Sequence, residues 1–193
     1  SFSGSAGISS IKLGLDGIEQ VKRDNEIMYK HTDSGRAYIG YTELTLQIDP
    51  NNDGVRIERL QDGICANQIT RIYVDGKPVT TTDTGRKRQG WITTVIDIPS
   101  EFVRGKSEIR IKSEFVSSGG DINEFYYTAY SLVNGEYIKT DEMDVANDNS
   151  ESRHGYVVNN QSWIGERSYH APQKPIDEQD VPKNERCAEI LNG

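Results

Sequence analysis

Residues 122–131 read INEFYYTAYS, with three tyrosines, a phenylalanine and a carboxylate in ten residues. Aromatic side chains suit a pleated, half-buried surface, so the stretch reads as a β-strand. Period-two alternation predicts Asn123, Phe125, Tyr127 and Ala129 on one face and Glu124, Tyr126, Thr128 and Tyr130 on the other. The second set mixes acid, hydroxyl and ring, a combination that suits sugar hydroxyls and sugar C–H faces. It equally suits an ordinary strand whose tyrosines bury their rings and wet their hydroxyls.

The same short rhythm extends in both directions. Strand-length apolar segments fall at residues 37–48, 55–60, 68–74, 91–98, 107–115, 125–133, 155–158 and 162–169. Asp53-Gly54, Asp62-Gly63, Asp75-Gly76, Gly119-Gly120 and Asn134-Gly135 supply the chemistry of tight turns between them. Residues 100–103 (SEFV) read as one short helical turn. The expectation is an all-β chain, a two-sheet antiparallel β-sandwich of jelly-roll type. Its organisation reads as a Ser/Gly-rich leader over residues 1–10, one sandwich domain over 11–172, and a polar, Pro-containing linker or strap over 173–193.

Composition agrees with that class. The 193 residues include 18 Gly and 10 Tyr against 4 Phe and 2 Met, a profile poor in long apolar helical faces. A formal charge of −8 opposes a phosphate backbone, and the basic triplet Arg86-Lys87-Arg88 between glycines reads as a solvated loop, so no nucleic-acid partner is expected. No apolar run approaches the roughly 20 residues that cross a bilayer, so no membrane insertion is expected. The sequence starts without Met and without a basic or apolar leader pattern, which leaves room for a processed signal peptide. Cys65 and Cys187 lack CxxC spacing, so they read as free thiols, or as a pair closing a long loop, rather than as zinc ligands.

Several constellations could carry chemistry. Asp49, Asn51 and Asp53 place oxygens at alternate positions before Gly54, as in the first half of a calcium loop. Leu60 stands where the twelfth-position glutamate belongs, so the alternative is a simple turn. Asp144, Asn147 and Asp148, within a stretch that also holds Asp141, Glu142, Asn149 and Glu151, form a second candidate calcium site or a solvated acidic loop. His154 beside Glu151 reads as an acid–base pair or as a bridge between loops. Trp163 reads as a core indole, and Trp91 as the partly exposed start of a strand. Glu114 and Glu124 flank the Ser-Ser-Gly-Gly turn and, if they faced one another, would supply the two carboxylates of a glycosidase.

Three segments taken together resemble a known family. They are residues 54–79 (GVRIERLQDGICANQITRIYVDGKPV), Trp91 followed by residues 98–115 (IPSEFVRGKSEIRIKSEF), and residues 123–131 (NEFYYTAYS). In this order, the YVDG turn, the GKS turn before a strand and the aromatic strand opening on Asn123-Glu124 resemble β-sandwich regions of bacterial proteins related to glycoside hydrolase family 172, which includes difructose dianhydride synthase/hydrolase. The resemblance implies a jelly-roll architecture, oligomer formation and a carbohydrate partner. It carries over no catalytic acid residue by residue, so it implies association with sugars rather than a reaction.

The expectation is therefore a secreted or cell-envelope module, non-catalytic by itself and needing no cofactor, that binds glycan or supports a neighbouring catalytic domain. Trp91, Asn123, Glu124, Tyr126, Tyr130 and His154 are its candidate ligand-binding residues. One alternative is a glycosidase or glycan transferase that uses Glu114 and Glu124 and is completed by another subunit. Another is a structural assembly or adhesion module.

Overall fold

The structure, a computed structural model, describes residues 8–13, 19–23 and 26–171. The chain divides into two compact units, Ser1–Asp33 with Arg167–Gly193, and Ser34–Glu166. In the first unit β1 (Ile8–Leu13) pairs antiparallel with β2 (Glu19–Arg23), Ile11 lying opposite Val21, and β2 pairs with the start of β3 (Glu26–Gln47). Residues 8–10 of the expected leader therefore belong to a strand. Residues 1–7 of the leader, the strap at 173–193 and Cys187 lie outside the described residues.

The Ser34–Glu166 unit is a two-sheet antiparallel β-sandwich. Its remaining elements are β4 (Gly54–Asp62), β5 (Ile69–Val74), β6 (Lys77–Asp83), β7 (Trp91–Pro99), α1 (Ser100–Val103), β8 (Glu108–Ser117), β9 (Ile122–Glu124), β10 (Tyr126–Val133), β11 (Glu136–Asp144), α2 (Asp148–Arg153) and β12 (Val157–Ala171). In one sheet β3 is followed by β8, β5 and β6, with β9 and β12 also paired to β3; the other has the order β11-β10-β4-β7. Two of the expected turns adopt the mirror-image geometry that matches strand twist. Asp75 and Gly76 (φ 48° and 80°) join β5 to β6, and Asn134 and Gly135 (φ 51° and 79°) join β10 to β11. The expected helical turn is α1, and the expected strand at 122–131 is divided into β9 and β10, whereas β6, β11 and α2 are elements that the apolar rhythm did not mark.

Alternation fills the space between the sheets. Leu44, Leu46, Ile57, Ile72, Ile96, Ile109, Ile111, Tyr127, Ala129 and Met143 form the apolar core, each 1% exposed or less. Burying such side chains contributes roughly 1.5–3 kcal/mol each, which is what makes the two faces cohere. Following the same inward positions along the strands, the interior changes character. On β3 Leu46 and Leu44 give way to Thr42, on β4 Ile57 gives way to Arg59 and Gln61, on β5 Ile72 to Thr70, and on β8 Ile111 to Ser113, all of them buried. The sandwich has an apolar end and a polar end.

Candidate functional site

The polar end is organised by one carboxylate. β9 pairs with β3, placing Glu124 opposite Arg36, whereas β10 pairs with β4 and β11 in the other sheet. The chain thus changes sheets at Phe125, and the alternation expected across residues 122–131 is broken there. Glu124 is 0% exposed. Its Oε2 accepts hydrogen bonds from Tyr127 Oη (2.6 Å) and Thr42 Oγ1 (3.2 Å), and its Oε1 accepts one from Tyr156 Oη (2.6 Å).

Arg59, also 0% exposed, lies in the same interior. It donates to Ser113 Oγ (2.7 Å), Thr70 Oγ1 (3.2 Å) and Thr82 Oγ1 (3.3 Å), while Ser113 Oγ also accepts from Tyr38 Oη (2.8 Å). Among the described residues Arg59 Nε has no hydrogen-bond partner. Burial pushes the Glu124 carboxyl above its usual range, with the Arg59 charge and then the three hydroxyl donors acting against that rise. Burial, and after it the Glu124 charge, likewise raises the Tyr127 and Tyr156 phenols well above theirs. The cluster is a closed polar network whose hydroxyl donors already occupy the carboxylate.

A second group pins the segment after β11. His154 Nδ1 lies 2.7 Å from the Ser150 carbonyl oxygen and Nε2 lies 3.0 Å from Asp141 Oδ1. The Asp141 hydrogen bond raises the His154 pKa against the opposing effect of burial. Burial opposes the Asp141 charge, yet His154 and the Gln47 N–H outweigh it and hold Asp141 below its usual value. Nearby, Arg36 forms a two-pronged ion pair with Glu151 (2.6 and 2.8 Å) and donates to Gln161 Oε1 (2.6 Å).

The expected ligand-binding residues are therefore dispersed. Glu124, Asn123, Tyr126 and His154 are 0%, 5%, 1% and 6% exposed, so none of the four offers a ligand more than a sliver of surface. Asn123 exchanges side-chain hydrogen bonds with the Asp62 backbone (2.7 and 2.9 Å), a structural use of its amide. Tyr126 lies opposite Leu60, and Tyr130, half-buried, opposite Arg56. Trp91 is half-buried with its ring edge-on to Phe125 (centroids 4.8 Å, 78°), and Trp163 is also half-buried, tilted against Phe125 at 6.1 Å.

The expected carboxylate pair does not form. Ser113 faces the interior, so the next residue, Glu114, points to the outer face of its sheet while Glu124 is enclosed between the sheets. The Asp49–Asp53 loop uses its oxygens internally. Asp49 Oδ1 accepts the Asn51 N–H (2.8 Å), Asn52 Oδ1 accepts the Gly54 N–H (3.0 Å), and Asp53 is ion-paired with Arg104. Asn147 caps α2 by accepting the Ser150 N–H (3.1 Å). Among the described residues no three His, Cys, Asp or Glu side chains group as a metal site, and no helix is long and apolar enough to cross a membrane.

The mixture of rings, acid and hydroxyl anticipated for β10 occurs instead on the outer face of β3, β8 and β5. Pairing sets Tyr41 and Arg71 on either side of Glu114, and Glu43 and Tyr73 on either side of Lys112. Lys112 Nζ lies 4.5 Å from the Tyr41 ring centroid and 5.3 Å from that of Tyr73. Tyr73 Oη donates to Glu114 Oε2 (2.8 Å) and Lys112 Nζ to Glu114 Oε1 (3.2 Å); these two partners hold the carboxyl below its usual range. The group is half-exposed, with Lys112 and Glu114 side chains at 29% and 36%. Sequence reading missed Tyr41, Tyr73 and Lys112 because only the strand pairing brings them together. In comparisons with known proteins, no family model, no curated protein and no solved structure matches the chain.

Proposed function

We propose that the Ser34–Glu166 unit is a carbohydrate-associated, non-catalytic β-sandwich module that binds glycan or supports a neighbouring carbohydrate-active domain. The observation that carries this reading is the half-exposed group formed by Tyr41, Lys112, Tyr73 and Glu114. Flat rings beside fixed hydrogen-bonding groups match the alternating C–H and hydroxyl surfaces of a sugar ring. The resemblance of residues 54–79, 98–115 and 123–131 to sandwiches related to glycoside hydrolase family 172 points to the same ligand class. A location in the cell envelope or outside the cell, and association with further copies or with a catalytic partner, belong to the same proposal.

The separation of the two acids supports the non-catalytic part. Glycoside hydrolysis needs two carboxyl groups flanking one bond, and Glu114 and Glu124 address opposite sides of a sheet. The test is titration calorimetry of the full chain against fructans, arabinans and mannans, with product analysis on the same mixtures. Binding that weakens in Tyr41→Ala and Tyr73→Ala, without products, supports the reading. Products in the mixture, or binding indifferent to both substitutions, would remove it.

A further inference from the structure

Residues 144–156 leave β11, turn through α2 and return to β12 over the polar end of the sandwich. The segment is tied through four hydrogen-bonded contacts to β3, β8 and β9 of one sheet, and through the His154 ring and Asp141 to β11 of the other. The Thr45 N–H donates to the His154 carbonyl (2.8 Å), Arg110 Nη1 to the Gly155 carbonyl (2.8 Å), Arg36 to Glu151, and Tyr156 Oη to Glu124 (2.6 Å). Its internal ties are the Asp144 N–H to Ser150 Oγ (2.9 Å) and the Ala146 N–H to Glu151 Oε1 (2.8 Å).

One of these ties depends on protonation through its geometry alone. The Ser150 carbonyl and the Asp141 carboxylate are both acceptors, and each faces a different nitrogen of the His154 ring. A neutral imidazole has a single N–H, so it satisfies one acceptor and turns a lone pair toward the other; the imidazolium satisfies both. The charged and titratable groups around the ring are Asp141 on β11, Arg153 on α2, and Arg110 on β8, whose Nη1 lies 3.5 Å from the His154 carbonyl and which is itself paired with Glu43 on β3. Asp141 favours the charged ring and Arg153 opposes it.

We propose that residues 144–156 form a proton-locked clasp. The doubly protonated His154 pins α2 against β11, and loss of one ring proton lets the segment open locally and admits water to Glu124. Opening is centred on His154 and Tyr156.

The test is NMR on the full chain between about pH 6 and about pH 9, a span that starts near the ordinary histidine value of about 6.5 and extends in the direction in which Asp141 moves it. Side-chain ¹⁵N shifts report whether the ring holds one proton or two. Amide exchange reports opening at Thr45 and Tyr156, with the amides of β4 and β7 as internal reference. Two ring protons at the acid end, with protection at Thr45 and Tyr156 falling by about tenfold or more at the alkaline end while β4 and β7 stay protected, is the expected result. In Asp141→Asn the fall should move to lower pH. A singly protonated ring at about pH 6, protection that does not change with pH, or loss of protection at Thr45, Tyr156, β4 and β7 together would overturn the proposal.

Discussion

Tyr127 donates a 2.6 Å hydrogen bond to Glu124 across the point where the chain passes from one sheet to the other. Three residues apart, they stand in different sheets, so this bond ties the two layers together. Tyr156 and Thr42 complete the carboxylate's set of donors, and the Arg59 charge balances it from the β4 side.

Removing the acid should leave that arginine without its counter-charge. Glu124→Ala is expected to cost about 3–5 kcal/mol of stability, because it leaves the buried Arg59 charge uncompensated and removes the acceptor of three hydroxyls. Combining Glu124→Gln with Arg59→Met should cost less than the two single changes added together, with a coupling of about 0.5–3 kcal/mol. Urea unfolding of the wild type and the four variants measures both.

Gly35 is required by space. A Cβ there would sit 2.5 Å from the Glu124 carbonyl oxygen and 2.5 Å from the Phe125 ring. The ring has room to shift only where Trp91 and Trp163 allow it, and the carbonyl belongs to the β3–β9 ladder. Gly35→Ala should therefore lower stability by about 1–3 kcal/mol, read as a drop in melting temperature.

The His154–Asp141 pair gives stability a definite pH profile. His154 is raised in the folded state, so its contribution is complete below the unfolded value of about 6.5 and is lost as pH climbs through the raised folded value. Asp141 is lowered, so its contribution is present above the unfolded value of 3.8 and is lost as pH falls through the lowered one. The pair stabilises most between those limits. Asp141→Asn should flatten the alkaline side of a stability-against-pH curve measured by denaturant unfolding.

Substitutions on the outer face should separate binding from folding. On the proposed glycan-binding reading, Tyr41→Ala and Tyr73→Ala are each expected to weaken binding by about tenfold, equivalent to about 1.4 kcal/mol. Both side chains are half-exposed, so loss of stability should stay within about 1 kcal/mol. Calorimetric titration and a melting curve on the same samples distinguish the two effects.

Glycine, asparagine and aspartate place the turns, and short apolar runs place the strands, because both signals are local. Asp75-Gly76 and Asn134-Gly135 reach positive φ through their own chemistry, and residues 55–60 and 107–115 alternate because each strand has one face on the core. The all-β class and the two-sheet sandwich were therefore legible. The candidate site was not. Whether Glu124 shares a face with Tyr126 depends on the change of sheet at Phe125, and no residue of INEFYYTAYS marks that change. Tyr41, Lys112 and Tyr73 are more than 30 positions apart in the chain, so only strand order and register gather them. A strand's own residues determine its alternation; which partners its two edges find, and therefore which face is enclosed, is decided by the long-range pairing of the folded chain.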